Sequence, residues 1–156
     1  MNRAAGNVLH TDACIYSPGI VICKTDTDFP ERLPQEDWGT VDVISCAAPN
    51  LRHTPANLYN PESGQAVSIL PSELQRIHEQ RARSILAVAT ANSVDILVLG
   101  AFGCGAFRND PKVVARAYAN VLRDCRQHFD WIEFAIFCRD GERENYDAFA
   151  DALEGK

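Results

Sequence analysis

Three apolar runs of strand length divide the chain: "VDVISCAA" (41–48), "VDILVLGAF" (94–102) and "WIEFAIFC" (131–138). The first is apolar on both faces, as a central strand of a parallel sheet should be. Segments of helical period separate them. Leu74, Ile77, Ile85 and Val88 recur on one face of a helix that ends near Ala91, with Ser72 and Gln75 spaced as a capping box. Val114, Tyr118, Val121, Cys125 and Phe129 form the stripe of a second helix, which Asn109 or Asp110 can cap and Pro111 can open. "NYDAFADAL" (145–153) reads as a short closing helix. Upstream, "ACIYSPGIVICKT" (13–25) reads as two short strands or one bent strand around Pro18-Gly19.

Alternating strands and helices imply parallel strands joined by right-handed crossovers. The expected architecture is a single α/β domain over residues 1–156, with three α/β/α layers around a mostly parallel central sheet. Residues 1–12 are expected to form a flexible N-terminus. Ligands of such sheets bind where the strands end. Three loops should meet there: "AAPNLRH", "GAFGCGAFRND" and "CRDGEREN".

The second loop narrows the chemistry. Gly100, Gly103 and Gly105 precede a helix N-terminus, where inward-turned amides and the helix dipole favour an anion. Phosphate binding and a purely structural turn both fit that composition. The spacing is G-x-x-G-x-G, not the G-x-G-x-x-G of dinucleotide-binding folds, and no acidic residue follows about 20 positions on at the end of the next strand. Gly105 is followed by Ala106-Phe107, which excludes a Gly-Lys-Ser/Thr phosphate loop. Phe102 and Ala106 stand where a nucleophile elbow on Cys104 needs glycines. Phe102 and Phe107 bracket the glycines and suit a sugar or base face. Arg108 follows and could meet a phosphate.

The net charge of −6 gives no general electrostatic case for a nucleic-acid or membrane-surface binder. None of the six cysteines forms a C-x-x-C pair, so no zinc site is expected. They read as small buried hydrophobes of a reducing cytosol. With no secretory signal and no long apolar stretch, an intracellular, cytoplasmic protein is expected. His10, His53, His78 and His128 lack ligand spacing. His78 and His128 are expected on helix surfaces, and His53 is a lesser site candidate beside Arg52.

Four stretches together, "IYSPGI" (15–20), "AAPN" (47–50), "VLGAFGCGAFRNDPKVVA" (98–115) and "NYDAF" (145–149), resemble the C-terminal half of the microbial-type poly(ADP-ribose) glycohydrolases, which are macrodomain proteins. The order is the family's, and the resemblance spans roughly residues 10 to 150. It implies that the backbone N–H groups of Gly103, Cys104, Gly105, Ala106 and Phe107 wrap the diphosphate of ADP-ribose. It also implies that Phe107 lies against the distal ribose, and that Asn145, Tyr146 and Phe149 border the adenine side. The full candidate ligand-binding set is Gly100, Ala101, Phe102, Gly103, Cys104, Gly105, Ala106, Phe107, Arg108, Asn50, Asn145 and Tyr146.

The family's catalytic loop, glycines followed by Gln-Glu-Glu, precedes the "IYSPG" element. Here 14 residues precede Ile15, and "PQED" (34–37) comes after it. The expectation is an ADP-ribose-binding module without efficient glycohydrolase activity and with no cofactor. One alternative is a hydrolase that uses Asp110, Glu36 or a substrate-activated water. Another is a partner-binding protein whose open sheet edge is buried in a homodimer.

Overall fold

In the computed structural model, residues 7–58, 61 and 63–154 are described. The elements are β1 (Cys14–Ile22), β2 (Gly39–Cys46), α1 (Pro71–Ala91), β3 (Ile96–Leu99), α2 (Pro111–Cys125), β4 (Trp131–Phe134) and α3 (Glu144–Leu153).

The α/β class and the element order are as expected, but the single, mostly parallel sheet is not. The strands form two separate pairs. β1 runs antiparallel to β2, from Cys14 opposite Cys46 to Ile22 opposite Gly39. β3 runs parallel to β4, from Ile96 opposite Trp131 to Leu99 opposite Phe134. β2 and β3 do not pair. A space of about 1100 Å³ lies between them. Apolar composition reports burial, not partner or direction, so the sequence could not reveal this break.

β1 is one bent strand. Its register shifts between Ser17 and Ile20, at Pro18-Gly19. Gly19 has φ +66° there, and its amide donates to Asp42 Oδ1 at 2.8 Å. The Tyr16 hydroxyl donates to Asp42 Oδ2. These two bonds, Tyr16 first, hold the Asp42 carboxyl below its usual range.

The core lies on one side of the strands. Leu97, with Leu99, Ile132 and Phe134, meets Ala82, Leu86 and Ala89 of α1, Val114, Tyr118 and Val121 of α2, and Phe149 of α3. Tyr118 stacks edge-on against Phe134 at 5.6 Å, and Phe134 meets Phe149 at 5.3 Å. The opposite face carries Ile96, Val98 and Trp131, each more than 60% exposed. Of the three expected layers, the described residues therefore form two.

α1 starts differently from the capping-box expectation. Leu70 is the cap residue, with no side-chain hydrogen bond, and Pro71 opens the helix. Proline's fixed φ and missing donor suit that first position, so the start lies one residue before Ser72. Gln75 turns instead to Glu79 Oε1 at 3.0 Å. α2 follows the second expected alternative, with the Asp110 carboxylate accepting from the Lys112 amide at 2.9 Å.

Residues 7–12, expected to be loose, lie against the core. Val8 is buried, and its carbonyl accepts from the Asn50 amide at 2.6 Å. Arg81 of α1 is 2% exposed; its Nε donates to Asp12 Oδ1 at 2.6 Å, Nη2 to Leu9 O at 2.8 Å and Nη1 to Ala47 O. A buried guanidinium persists only when it is paired and its donors are satisfied, and these acceptors do that. Residues 1–6 of the expected flexible segment lie outside the described residues.

Candidate functional site

The glycine loop is shaped by Asn109, which is 3% exposed. Its Nδ2 lies within hydrogen-bond reach of Pro49 O at 2.7 Å, Gly103 O at 3.0 Å and Phe107 O at 3.3 Å. One amide thus ties the "AAPN" loop to both ends of the glycine turn. A backbone bond from Leu51 N to Phe107 O at 2.9 Å adds a second tie. The loop after β4 runs alongside, with Ala135 N donating to Leu99 O at 2.8 Å. Of the three loops expected to meet, "AAPNLRH" and the glycine loop are joined, and no described contact brings "CRDGEREN" to them.

Asn109 Oδ1 is held in turn by His78 Nε2 at 2.8 Å. Because the Asn109 amide nitrogen faces three carbonyls, Oδ1 must accept, so His78 is the neutral Nε2–H tautomer. Its Nδ1 is buried without a hydrogen-bond partner. Burial, chiefly, holds the His78 pKa below its ordinary value. His78 is fully buried rather than on the helix surface as expected. The missed signal is its spacing: it stands four residues after Leu74 and four before Ala82, both buried. His128 and His53 are exposed, and no described contact brings His53 to the loop.

Gly103 has φ +80°, and a Cβ there would lie 2.7 Å from Ala48 Cβ and 2.9 Å from Asn109 Nδ2. No other residue type fits without movement of the loop. Gly105 faces open space and is not left-handed. Arg108 takes the left-handed turn, φ +59°, that sends the chain into α2.

Five amides were expected to face an anion; the structure leaves four. Cys104 N is used inside the turn, donating to Ala101 O at 3.0 Å. The amides of Gly103, Gly105, Ala106 and Phe107 have no acceptor among the described residues. Phe102 N donates to Gly100 O, so the Phe102 amide is used inside the turn. Arg108, next in sequence after Phe107, is exposed and its side chain has no polar partner among the described residues. Burial pushes the Cys104 thiol up to about 12, which removes it as a thiolate nucleophile.

Phe107 is held between two side chains. The His10 ring lies 5.9 Å away on a tilt, and the Arg52 guanidinium lies 5.6 Å from the ring centroid. His10 Nδ1 bonds Ala48 O at 2.7 Å. The buried Asn50 holds Arg52, with Oδ1 accepting from Nε at 3.0 Å, and so acts behind the surface. Phe102 packs edge-on to His78 and against the core. Sequence reasoning missed His10, which carries no motif and meets Phe107 only through the fold.

Asn145 and Tyr146 lie in the first turn of α3, with the Arg143 guanidinium 4.5 Å from the Tyr146 ring. No described contact joins them to the glycine loop. Phe149, expected near adenine, is 1% exposed and belongs to the core. Among the described residues no group of His, Cys, Asp and Glu could hold a metal ion, and no helix is long and apolar enough to cross a membrane.

No family model and no curated protein matches the chain. Solved structures do. The poly(ADP-ribose) glycohydrolase from Deinococcus radiodurans in complex with ADP-ribose aligns at TM-score 0.80 and 34% identity, over 98% of this chain and 57% of that one. The apo form from the same organism aligns at 0.79 and 31% identity. The glycohydrolase from Thermomonospora curvata, bound to the inhibitor ADP-HPD, aligns at 0.73 and 31%, over 93% of this chain and 50% of that one. The chain is similar in fold and sequence to the microbial poly(ADP-ribose) glycohydrolases. It corresponds to a C-terminal portion of these glycohydrolases and spans about half their length. Against them, the tie from Asn109 to Pro49 joins two of the four stretches that carry the sequence resemblance, "AAPN" and the glycine loop.

Proposed function

We propose that this chain is an ADP-ribose-binding macrodomain portion, with the diphosphate on the amides of Gly103, Gly105, Ala106 and Phe107. The observation that carries the reading is that set of four unpaired donors on a loop locked by Asn109. Fixed amides without internal partners bind an anion at little reorganisation cost. Arg108 adds a positive charge, and Phe107, held by His10 and Arg52, offers its ring to the distal ribose. The adenine end falls to the α3 side, at Asn145 and Tyr146. Related proteins of the same fold have been solved with ADP-ribose bound, which supports this choice of ligand.

Calorimetry with ADP-ribose, ADP and AMP tests the reading. The expected order is ADP-ribose tighter than ADP, and ADP tighter than AMP. The described residues build one wall of the site, so the dissociation constant should lie on the order of 10 to 1000 μM. No heat at millimolar ligand would end the proposal.

A hydrolase is the second reading, favoured by the activity named for the similar structures. Asp110 is the carboxylate nearest the loop in sequence, but it is engaged in capping α2. Glycoside hydrolysis needs a carboxylate placed at the scissile bond. Release of ADP-ribose from poly(ADP-ribose) by this chain would establish it.

A further inference from the structure

We propose that Cys14 and Cys46 form a redox-modification site, where a peroxide converts the two thiols to a reversible disulfide that pins residues 8–14 to the loop after β2. The inference does not rest on the ADP-ribose reading.

The ladder sets the geometry. β1 starts at Cys14 and β2 ends at Cys46, and the two are direct partners in the antiparallel register. Among the described strand pairs this is the one position where cysteine stands opposite cysteine. Opposed Cα atoms in such a ladder lie about 4.5–5.5 Å apart, inside the span of roughly 4.4–6.8 Å that a disulfide bridges. Opposed side chains also share one face of the ribbon. Both residues are free thiols and partly exposed, which leaves a path for a small oxidant. The ladder stops at this pair, so a small closing movement disturbs no pairing beyond it.

Arg81 holds both arms in place. Its Nε donates to Asp12, two residues before Cys14, and its Nη1 to Ala47 O, one residue after Cys46. The Cys14 thiol donates to Asp12 O at 3.6 Å. One buried guanidinium thus fixes the approach of the two segments that the disulfide joins. Held in this way, each sulfur meets the other at an effective concentration that a thiol from solution does not match.

The two thiols have different parts in the reaction. Burial, then the charge of Cys14 and the hydrogen bond to it, push the Cys46 thiol up to about 11. Cys46 is therefore the poorer first nucleophile, and the first attack falls to Cys14. The Cys14 thiolate attacks one oxygen of hydrogen peroxide and the O–O bond breaks. Hydroxide leaves and takes up the proton that Cys14 released, giving water and a sulfenic acid on Cys14. That step removes the Cys14 charge, while the Arg81 charge that favours a Cys46 thiolate remains. The Cys46 sulfur gives up its proton and displaces hydroxide from the sulfenic sulfur, and a second water leaves. Two thiols and one peroxide thus give one disulfide and two waters. A dithiol reverses the modification by exchange.

The new bond reaches the support of the glycine loop. Asn50 N donates to Val8 O at 2.6 Å, and His10 Nδ1 bonds Ala48 O at 2.7 Å. The segments on either side of the disulfide therefore already meet beside Pro49, whose carbonyl accepts from Asn109.

The test treats the folded chain with one equivalent of hydrogen peroxide and maps its disulfides by non-reducing proteolysis and mass spectrometry. The expected product is a monomer cross-linked between Cys14 and Cys46 and returned to thiols by dithiothreitol, while the urea-unfolded chain gives mixed pairings. The oxidised monomer should melt about 5 °C or more higher, because the bond closes a long loop. Exchange at the Asn50 amide should slow about threefold or more. In Cys46→Ser a dimedone label should accumulate on Cys14, and its absence there overturns the order of attack. Three further results overturn the inference. One is a different pair, a disulfide between chains, or the same mixture from folded and unfolded protein. Another is a wild-type product that keeps both thiols or stops at the sulfenic acid. The third is a Cys14–Cys46 cross-link that changes neither the melting temperature nor Asn50 exchange.

Discussion

His78 and Asn109 stand 31 residues apart in sequence and share a buried 2.8 Å hydrogen bond beneath the glycine loop. The bond fixes both ends of a relay: Asn109 shapes the turn, and His78, neutral, keeps Asn109 from rotating. Protonation of His78 is disfavoured in the folded state, since burial lowers its pKa from 6.5. Above pH 6.5 neither state binds the proton and the full stability is present. As pH falls below 6.5 the unfolded state takes up a proton that the folded state refuses, so stability declines until the folded pKa is reached. Thermal melts from pH 7.5 down to 5 should show this loss. His78→Gln, whose amide can still donate to Asn109, should flatten it, and a decline of the same size in that variant would place its origin elsewhere.

Gly103 and Gly105 should respond oppositely to the same change. Gly103→Ala places a methyl 2.7 Å from Ala48 Cβ in a left-handed backbone. A loss of about 2 kcal/mol or more is expected from strain and overpacking. Gly105→Ala meets nothing within 4 Å and should leave the melting temperature within a degree or two. Chemical denaturation of the two variants in parallel checks the contrast, and equal losses would refute it.

Phe107→Ala should weaken ADP-ribose more than ADP. Loss of one ring–sugar contact costs on the order of 1 kcal/mol, or about fivefold in affinity. Calorimetry with both ligands separates this outcome from equal weakening, which would place the ring away from the distal ribose.

Arg81→Met should be among the most damaging single changes outside the binding loop. It removes the donors that satisfy Leu9 O and Ala47 O and leaves Asp12 without its partner. Asp12 is 45% exposed and is left to solvent, whereas each part-buried carbonyl left unsatisfied costs roughly 1–3 kcal/mol. Urea unfolding measures it, and residues 8–12 should lose exchange protection first.

The helices were legible because their periodicity and start signals are local. The Leu74 and Val114 stripes and the Asp110-Pro111 start needed only neighbouring residues. Strand partners were not legible, since Val41 and Ile96 look alike whether paired or bare. The glycine loop stood out by composition, and the family resemblance supplied its role. Which glycine was indispensable did not stand out, because the constraint on Gly103 comes from Ala48, fifty-five positions away. His78 and Arg81 were hidden by their own polarity. Each occupies an apolar-face position that only a partner from another segment can make tolerable.

Besides the Asp12 carboxylate, Arg81 grips two main-chain oxygens, at Leu9 and Ala47. The identities of residues 9 and 47 are therefore unconstrained by this contact, while the path of the backbone through them is held. Mutational drift can rewrite both positions without loosening the clamp. Asn109 likewise addresses carbonyls, at Pro49, Gly103 and Phe107, although position 103 is restricted to glycine by its left-handed turn and by Ala48. Proteins built on such contacts can diverge to about a third identity and still superpose closely, as this chain does with its relatives. Two side chains, one at position 81 and one at 109, hold the backbone at five carbonyls of this chain.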